Sequence, residues 1–268
     1  MSIIVISRMP YSKGKEIAVK VARHLNHQCL SRDDLAAMSD QFNIPATEIL
    51  RALHGAPSFM DRFTNGMERY HAFIREALLE RLQQDNIVYH GLAGHVFVKD
   101  VKNILKVGIV ANAEDRIQML MDAKNYSWEK AKALLEKEDK GQSDWAYLRY
   151  GIDTRDPKLY DIILHVDSLS IDDTVETLLF LAQKPTFQTT PETRDQIADL
   201  LLAAKIQHRL VRYFPKAAVT CEAGKANVRV AIPRLRQDEI MAHIKQMTAS
   251  IDGINKLYLD TRGAYHPE

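Results

Sequence analysis

The chain has 268 residues, 46% of them apolar and 26% charged, with a formal net charge of +1, the profile of a soluble globular protein of one large or two modest domains. A near-neutral balance gives no global electrostatic case for nucleic acid or an anionic membrane, and no stretch reaches the roughly 18 apolar residues of a membrane span. Cys29 and Cys221 fall in different predicted domains, which argues against a structural disulfide; with no basic n-region or long apolar core at the N-terminus, a cytoplasmic location is expected.

Ile3–Ser7 reads as a short buried β-strand, and from Lys15 onward the spacing of Ile17, Val21 and Leu25 predicts a helix. The loop between them has the outline of the phosphate-binding pattern Gly-x-x-x-x-Gly-Lys-Ser/Thr. Its eight positions hold Met9, Pro10, Tyr11, Ser12, Lys13, Gly14, Lys15 and Glu16, so the second Gly and the Lys are present and the first Gly and the hydroxyl are not. Pro10 removes a backbone donor from the phosphate cradle, and Met9 and Tyr11 place side chains where close backbone approach favours glycine.

A weak strand at His27–Leu30 follows, then a long helical insertion, roughly Asp33 to Gln84, broken near His54-Gly55-Ala56-Pro57. The insertion exceeds what a crossover needs and reads either as a cover over a second substrate or as a dimerisation element of a homo-oligomer. Strands at Ile87–His90, Ile104–Val110 and Ile162–Val166 alternate with helices at Ala113–Lys124, Ser127–Lys140 and Ile171–Ala182. Five short apolar strands separated by helices predict an α/β fold, a parallel five-stranded sheet with helices on both faces. Residues 1–184 thus form one domain with the insertion at about 33–86, and residues 185–191, bracketed by Pro185 and Pro191, form a linker. Residues 192–262 form a small α+β domain: helix Glu192–Tyr213, strand Ala217–Glu222, a turn at Ala223-Gly224-Lys225, strand Asn227–Ile232, helix Leu235–Ser250 and strand Asn255–Asp260.

Ser7-Arg8 followed by Ser12-Lys13-Gly14-Lys15-Glu16-Ile17-Ala18 resembles the opening of the cytidylate-kinase-like proteins, a branch of the P-loop nucleoside monophosphate kinases. Further matches follow in family order at Ser31-Arg32-Asp33, Ala113-Glu114-Asp115-Arg116-Ile117, Asp139-Lys140, and Asp156-Pro157 with Tyr160-Asp161. The similarity spans about residues 1 to 183, carried by order and spacing more than by one motif. The C-terminal segment looks like a BON domain, through its Gly224 hairpin and the Ile251-Asp252-Gly253-Ile254 entry to the last strand; that resemblance implies a binding role toward an unspecified ligand.

The resemblance implies a nucleotide or other phosphate-bearing small molecule at Ser12, Lys13, Gly14, Lys15 and Glu16, with Lys15 as the principal cation on the β/γ phosphates of ATP. Magnesium would accompany ATP, and the family carries Glu at position 16 as well. Arg32 and Asp33 would contact the acceptor, and Asp139, Lys140, Arg149 and Arg155 belong to or flank the lid, expected around Asp139 to Tyr150. Two departures stand out: the lid arginine position holds Gln142, and the Gly-Arg after the third strand is Gly91-Leu92. Gly14 is expected to serve the loop bend, Ser12 to meet phosphate or cap the helix, and Arg116 either to reach nucleotide or to pair with Glu114 or Asp115. His90 and His95 lack a clear third ligand, so no protein metal site is expected. Two functions remain open: a phosphotransferase acting on a nucleoside monophosphate or related acceptor, and a catalytically degenerate kinase scaffold that senses nucleotide or assembles through its BON-like domain.

Overall fold

The computed structural model describes residues 1–38, 66–91, 94–231 and 236–261. In chain order the described elements are β1 (Ile3–Arg8), α1 (Gly14–Leu25), β2 (Gln28–Ser31), α2 (Arg32–Ala36), α3 (Gly66–Leu82), β3 (Ile87–His90), α4 (Gly94–Phe97), β4 (Ile104–Val110), α5 (Ala113–Lys124), α6 (Trp128–Tyr150), β5 (Ile162–His165), α7 (Ile171–Ala182), α8 (Pro191–Leu210), β6 (Ala218–Glu222), β7 (Lys225–Arg229), α9 (Gln237–Thr248) and β8 (Lys256–Asp260). The chain divides into two compact units, residues 1–32 with 84–190, and residues 33–83 with 191–268.

The first unit is built on a parallel sheet of order β2-β3-β1-β4-β5. Its central strand is buried on both sides, Ile3, Ile4, Val5 and Ile6 each being fully inaccessible, which is why it reads as an unbroken apolar run rather than an alternation. Ile4 and Ile6 pack with Ile17 and Val21 of α1 and with Val175 and Leu178 of α7 on one face. On the other face Gly94 of α4 lies so close to Val5 and Tyr89 that an added Cβ would stand 2.6–2.7 Å from their side chains. Because β1 has β3 on one side and β4 on the other, the chain reverses its winding there, and the crevice beyond the carboxyl end of β1 is where open α/β sheets bind ligands.

The helix predicted over Ser127–Lys140 is longer in the structure. Positions 139–150 belong to one continuous helix, α6, which runs through Gly141 and stops at Gly151 in the left-handed conformation, whose N–H reaches back to Ala146 and Tyr147 carbonyls.

In the second unit the insertion helix α3 packs on α8, with Arg75 donating to Gln207 at 2.8 Å and His208 Nδ1 2.5 Å from Glu76. The C-terminal sheet has order β6-β7-β8, with β6 antiparallel and β8 parallel to β7. Leu202, Ile206 and Leu210 of α8 meet Val219, Ala226, Val228 and Ile244 in its core. The hairpin turn is Ala223-Gly224, with φ of 48° and 73°, the double positive φ that a two-residue connection requires. Cys29 and Cys221 form no disulfide.

Candidate functional site

The loop between β1 and α1 leaves the sheet at its switch point. Met9 N–H holds it to the Ile109 carbonyl of β4 at 3.2 Å, and Ser12, only 1% exposed, donates its hydroxyl to the Met9 carbonyl at 2.7 Å. Ser12 therefore neither caps α1 nor faces solvent; it closes the loop on itself. The N-cap is Lys13, with φ 61° and ψ 2°, and Tyr11 also has a positive φ of 58°. Each left-handed non-glycine residue costs about 1–2 kcal/mol, so this conformation is imposed by its surroundings.

The consequence of that turn is a row of unsatisfied donors. Among the described residues, the backbone N–H groups of Tyr11 through Glu16 find no acceptor; the first donor satisfied in α1 is Ile17, which reaches the Lys13 carbonyl at 3.2 Å. Such successive N–H groups at a helix start form an anion-binding concavity, to which the helix dipole adds. Lys13 and Lys15 are exposed beside it and make no ion pair or hydrogen bond among the described residues.

Gly14 has a reason other than the expected bend, since its φ is not left-handed. A Cβ there would lie 2.7 Å from Arg8 Cβ and 2.9 Å from Arg8 Cδ, so glycine is needed because the helix start crosses closely over the end of β1. Glu16 is exposed and sits 3.4 Å from Lys20, which also donates to Asp172 at the start of α7 at 2.9 Å.

The expected acceptor and lid residues are found in differing surroundings. Arg32 opens α2 half-buried, with its Cβ about one van der Waals contact from the position a Gly91 side chain would take, and its charge acts on Glu138 of α6. Asp33 and Lys140 are exposed. Arg155 is turned to Asp153, with two bonds of 3.0 Å between the side chains. Leu92 lies outside the described residues, as does the side chain of Arg149. Gln142 lines a cavity of about 220 Å³ at the loop's base, with Ser7, Met9, Asp139, Ser143 and Tyr160. A neutral amide thus stands where the resembled lid carries a cation.

Arg116 pairs with neither Glu114 nor Asp115. Its guanidinium is 2% exposed and forks onto Asp139 at 3.0 and 2.6 Å, while Nε donates to the Pro10 carbonyl at 2.7 Å. Glu114 and Asp115 are its immediate neighbours along a helix, and residues one or two apart point to different sides. That rule was the available signal against them. Beside it, burial and the adjacent Asp139 push the Glu138 carboxyl upward, and burial followed by Glu138 and Tyr126 pushes the Tyr11 phenol up.

A second network, unforeseen from the sequence, lies under the loop. The Tyr160 hydroxyl donates to the Thr154 carbonyl at 2.8 Å and lies 3.4 Å from Ser7 Oγ and 3.3 Å from His95 Nε2. With one phenolic proton committed to Thr154, the other two contacts need Ser7 and His95 Nε2–H as donors. His95 is fully buried and stacked on Tyr160, and its Nδ1 has no partner among the described residues. Burial lowers its pKa from 6.5 to about 4. The unfolded chain takes up this proton near pH 6.5 and the folded chain resists it, so stability is full above that pH and declines as pH falls toward about 4. The expected loss is roughly 3 kcal/mol across that window, and His95→Asn flattens a plot of unfolding free energy against pH there. An unchanged slope in the variant refutes the assignment.

Asp161 accepts the Lys106 backbone N–H at 2.7 Å and lies 4.0 Å from the Lys106 ammonium, a structural role at the entry to β5. Among the described residues no three His, Cys, Asp or Glu side chains group as a metal site, and no helix is long and apolar enough to cross a membrane.

The fold is similar to that of an uncharacterized protein from Eubacterium ventriosum at 16% identity, with a TM-score of 0.53, covering 67% of this chain and 97% of the other. Shikimate kinase from Bacteroides thetaiotaomicron, at 14% identity with a TM-score of 0.42, aligns over 68% of this chain and 99% of its own. Dephospho-CoA kinase from Campylobacter jejuni, at 15% identity with a TM-score of 0.38, aligns over 68% and 98%. No curated protein sequence matches this one. Residues 3–168 match the profile of the cytidylate kinase-like family, a span that takes in the β1–α1 loop, the five-stranded sheet and α6, and the chain belongs to that family.

Proposed function

We propose that the first unit binds ATP at the Met9–Glu16 loop and transfers its γ-phosphoryl group to a nucleoside monophosphate or a related phosphate-bearing acceptor. The observation that carries the reading is the run of acceptor-free N–H groups from Tyr11 to Glu16, with the Lys15 ammonium exposed and uncommitted beside it. Lys15 supplies a point charge to the β/γ oxygens, and the N–H groups hold the phosphates in place, so the chain's contribution is positioning and charge stabilisation. Arg32, half-buried at the start of α2, faces the acceptor.

Magnesium fits this site as an ion carried in by the nucleotide. It favours phosphate oxygens, water and one or two carboxylates, and Glu16, exposed at the position of the usual hydroxyl, would be the chain's own oxygen ligand. Bound there, it would neutralise phosphate charge.

We read residues 192–262 as a BON-like module that binds a separate ligand. The two-residue hairpin supports this, as does the bond from Asn255 N–H at the entry to β8 back to the Gly224 carbonyl, 2.8 Å long.

The test is a thermal-shift and turnover panel of ATP with magnesium and each nucleoside monophosphate. A ligand at 100 times its dissociation constant adds about 2.7 kcal/mol of stability. Stabilisation with turnover supports the kinase; stabilisation by nucleotide with no turnover over the whole panel favours the non-catalytic sensor, consistent with Gln142 in the cavity wall; no shift with any nucleotide refutes both.

A further inference from the structure

The loop reaches its anion-accepting form without the glycines that usually permit it. Two of its residues, Tyr11 and Lys13, sit at positive φ, and Pro10 stands between them and the strand. Something outside the loop must hold it, and two anchors do.

The first is polar. The Pro10 carbonyl accepts from Arg116 Nε at 2.7 Å. In a planar trans peptide the C=O and the following N–H point in opposite directions, so fixing this carbonyl on Arg116 aims the Tyr11 N–H away from α5. Arg116 is itself fixed by the two-pronged contact with Asp139 of α6, and its Nη1 lies 3.8 Å from Met9 Sδ. The second anchor is apolar. The Tyr11 side chain packs against the cluster of Ile117, Leu120, Ala131 and Leu135, contributed by α5 and α6. One residue is therefore gripped at the peptide before it and at its ring, from the same pair of helices.

We propose that Arg116 is a positioning residue of the phosphate site, which, with Asp139 as its counter-charge, holds the loop in its anion-binding shape without touching the phosphate. The inference rests on the reading that this loop binds nucleotide phosphate. It gives the Asp139 motif a role distinct from phosphate contact: α6 braces the loop. Arg is suited to this because its planar fork serves a carboxylate with two nitrogens while a third donates elsewhere; a lysine cannot do both.

The experiment is calorimetric titration of ATP with magnesium into the full chain and into R116K, D139N, the R116K/D139N double variant and K15A, with melting of each ligand-free protein measured alongside. D139N keeps the side chain's shape and half-exposed setting, so it guards against simple unfolding. The single variants R116K and D139N are expected to weaken ATP binding roughly 10- to 100-fold, the loss of one charge-assisted bond expressed as affinity. The double variant should lose little more than either single one, because both remove the same brace. Unchanged affinity in a folded D139N overturns the proposal. Tighter binding by D139N overturns it as well, since it would mean that Asp139 was holding a phosphate-binding arginine away from its ligand. If the wild type binds no ATP, the nucleotide reading itself fails and takes this inference with it; normal wild-type binding that is sensitive to K15A but not to R116K or D139N removes the inference alone.

Discussion

Replacing Lys15 with alanine should lower kcat/KM for phosphoryl transfer by about 10²- to 10³-fold, the usual consequence of deleting one preorganised charge from a transition state. The same substitution should leave the ligand-free protein as stable as before or slightly more so. Lys15 lies in the first turn of α1, exposed and without an ion pair among the described residues, where a cation opposes the helix dipole by about 0.3–1 kcal/mol. Removing it relieves that repulsion. The pairing of lost activity with undiminished stability separates a phosphate ligand from a structural lysine. Turnover assays on K15A beside urea unfolding supply both numbers, and turnover equal to the wild type would sink the assignment of Lys15.

Much of the first unit could be read from the sequence because its signals are local. β3, β4, α5 and α7 begin and end where their apolar periods and flanking polar residues place them. β1, central and buried on both sides, is an unbroken apolar run. The end of α6 was less legible. The predicted end at Lys140 falls just before Gly141, but one glycine costs a helix only about 1 kcal/mol, and Gly151, in the left-handed conformation with two backbone acceptors, is the better terminus.

The loop shows where sequence reasoning reaches its limit. Its pattern pointed to a phosphate cradle and to Lys15, since both are carried by adjacent residues. What holds the row open is Arg116 across 106 positions and Asp139 across 23 more. No local period encodes such a contact. Gly14 was likewise visible as a glycine, but its neighbour Arg8 was hidden, because close approach between a strand end and a helix start is a property of packing.

Gly14→Ala is the substitution in which that packing decides the sign. At an ordinary helical position alanine is favoured over glycine by about 1 kcal/mol, and the φ of Gly14 is not left-handed, so backbone preference alone predicts stabilisation. The new Cβ, however, would stand 2.7 Å from Arg8 Cβ. That atom belongs to β1, whose preceding residues are fully buried between two strands, so it cannot retreat as a flexible side-chain tip could. Overpacking of this kind costs typically about 1–3 kcal/mol, enough to cancel the helical gain or reverse it. The loop must move instead, and a displacement of about 1 Å at a reacting group can reduce turnover by about 10²-fold. Gly141→Ala is the internal control. It is also a glycine-to-alanine change inside a helix, but nothing lies within 4 Å of its added Cβ. The two variants should therefore part company in urea unfolding, G141A gaining about 1 kcal/mol and G14A losing stability or gaining none, while only G14A loses turnover. Equal gains in stability with turnover intact in both would show that Arg8 yields, and that the loop is not held as tightly as its contacts imply.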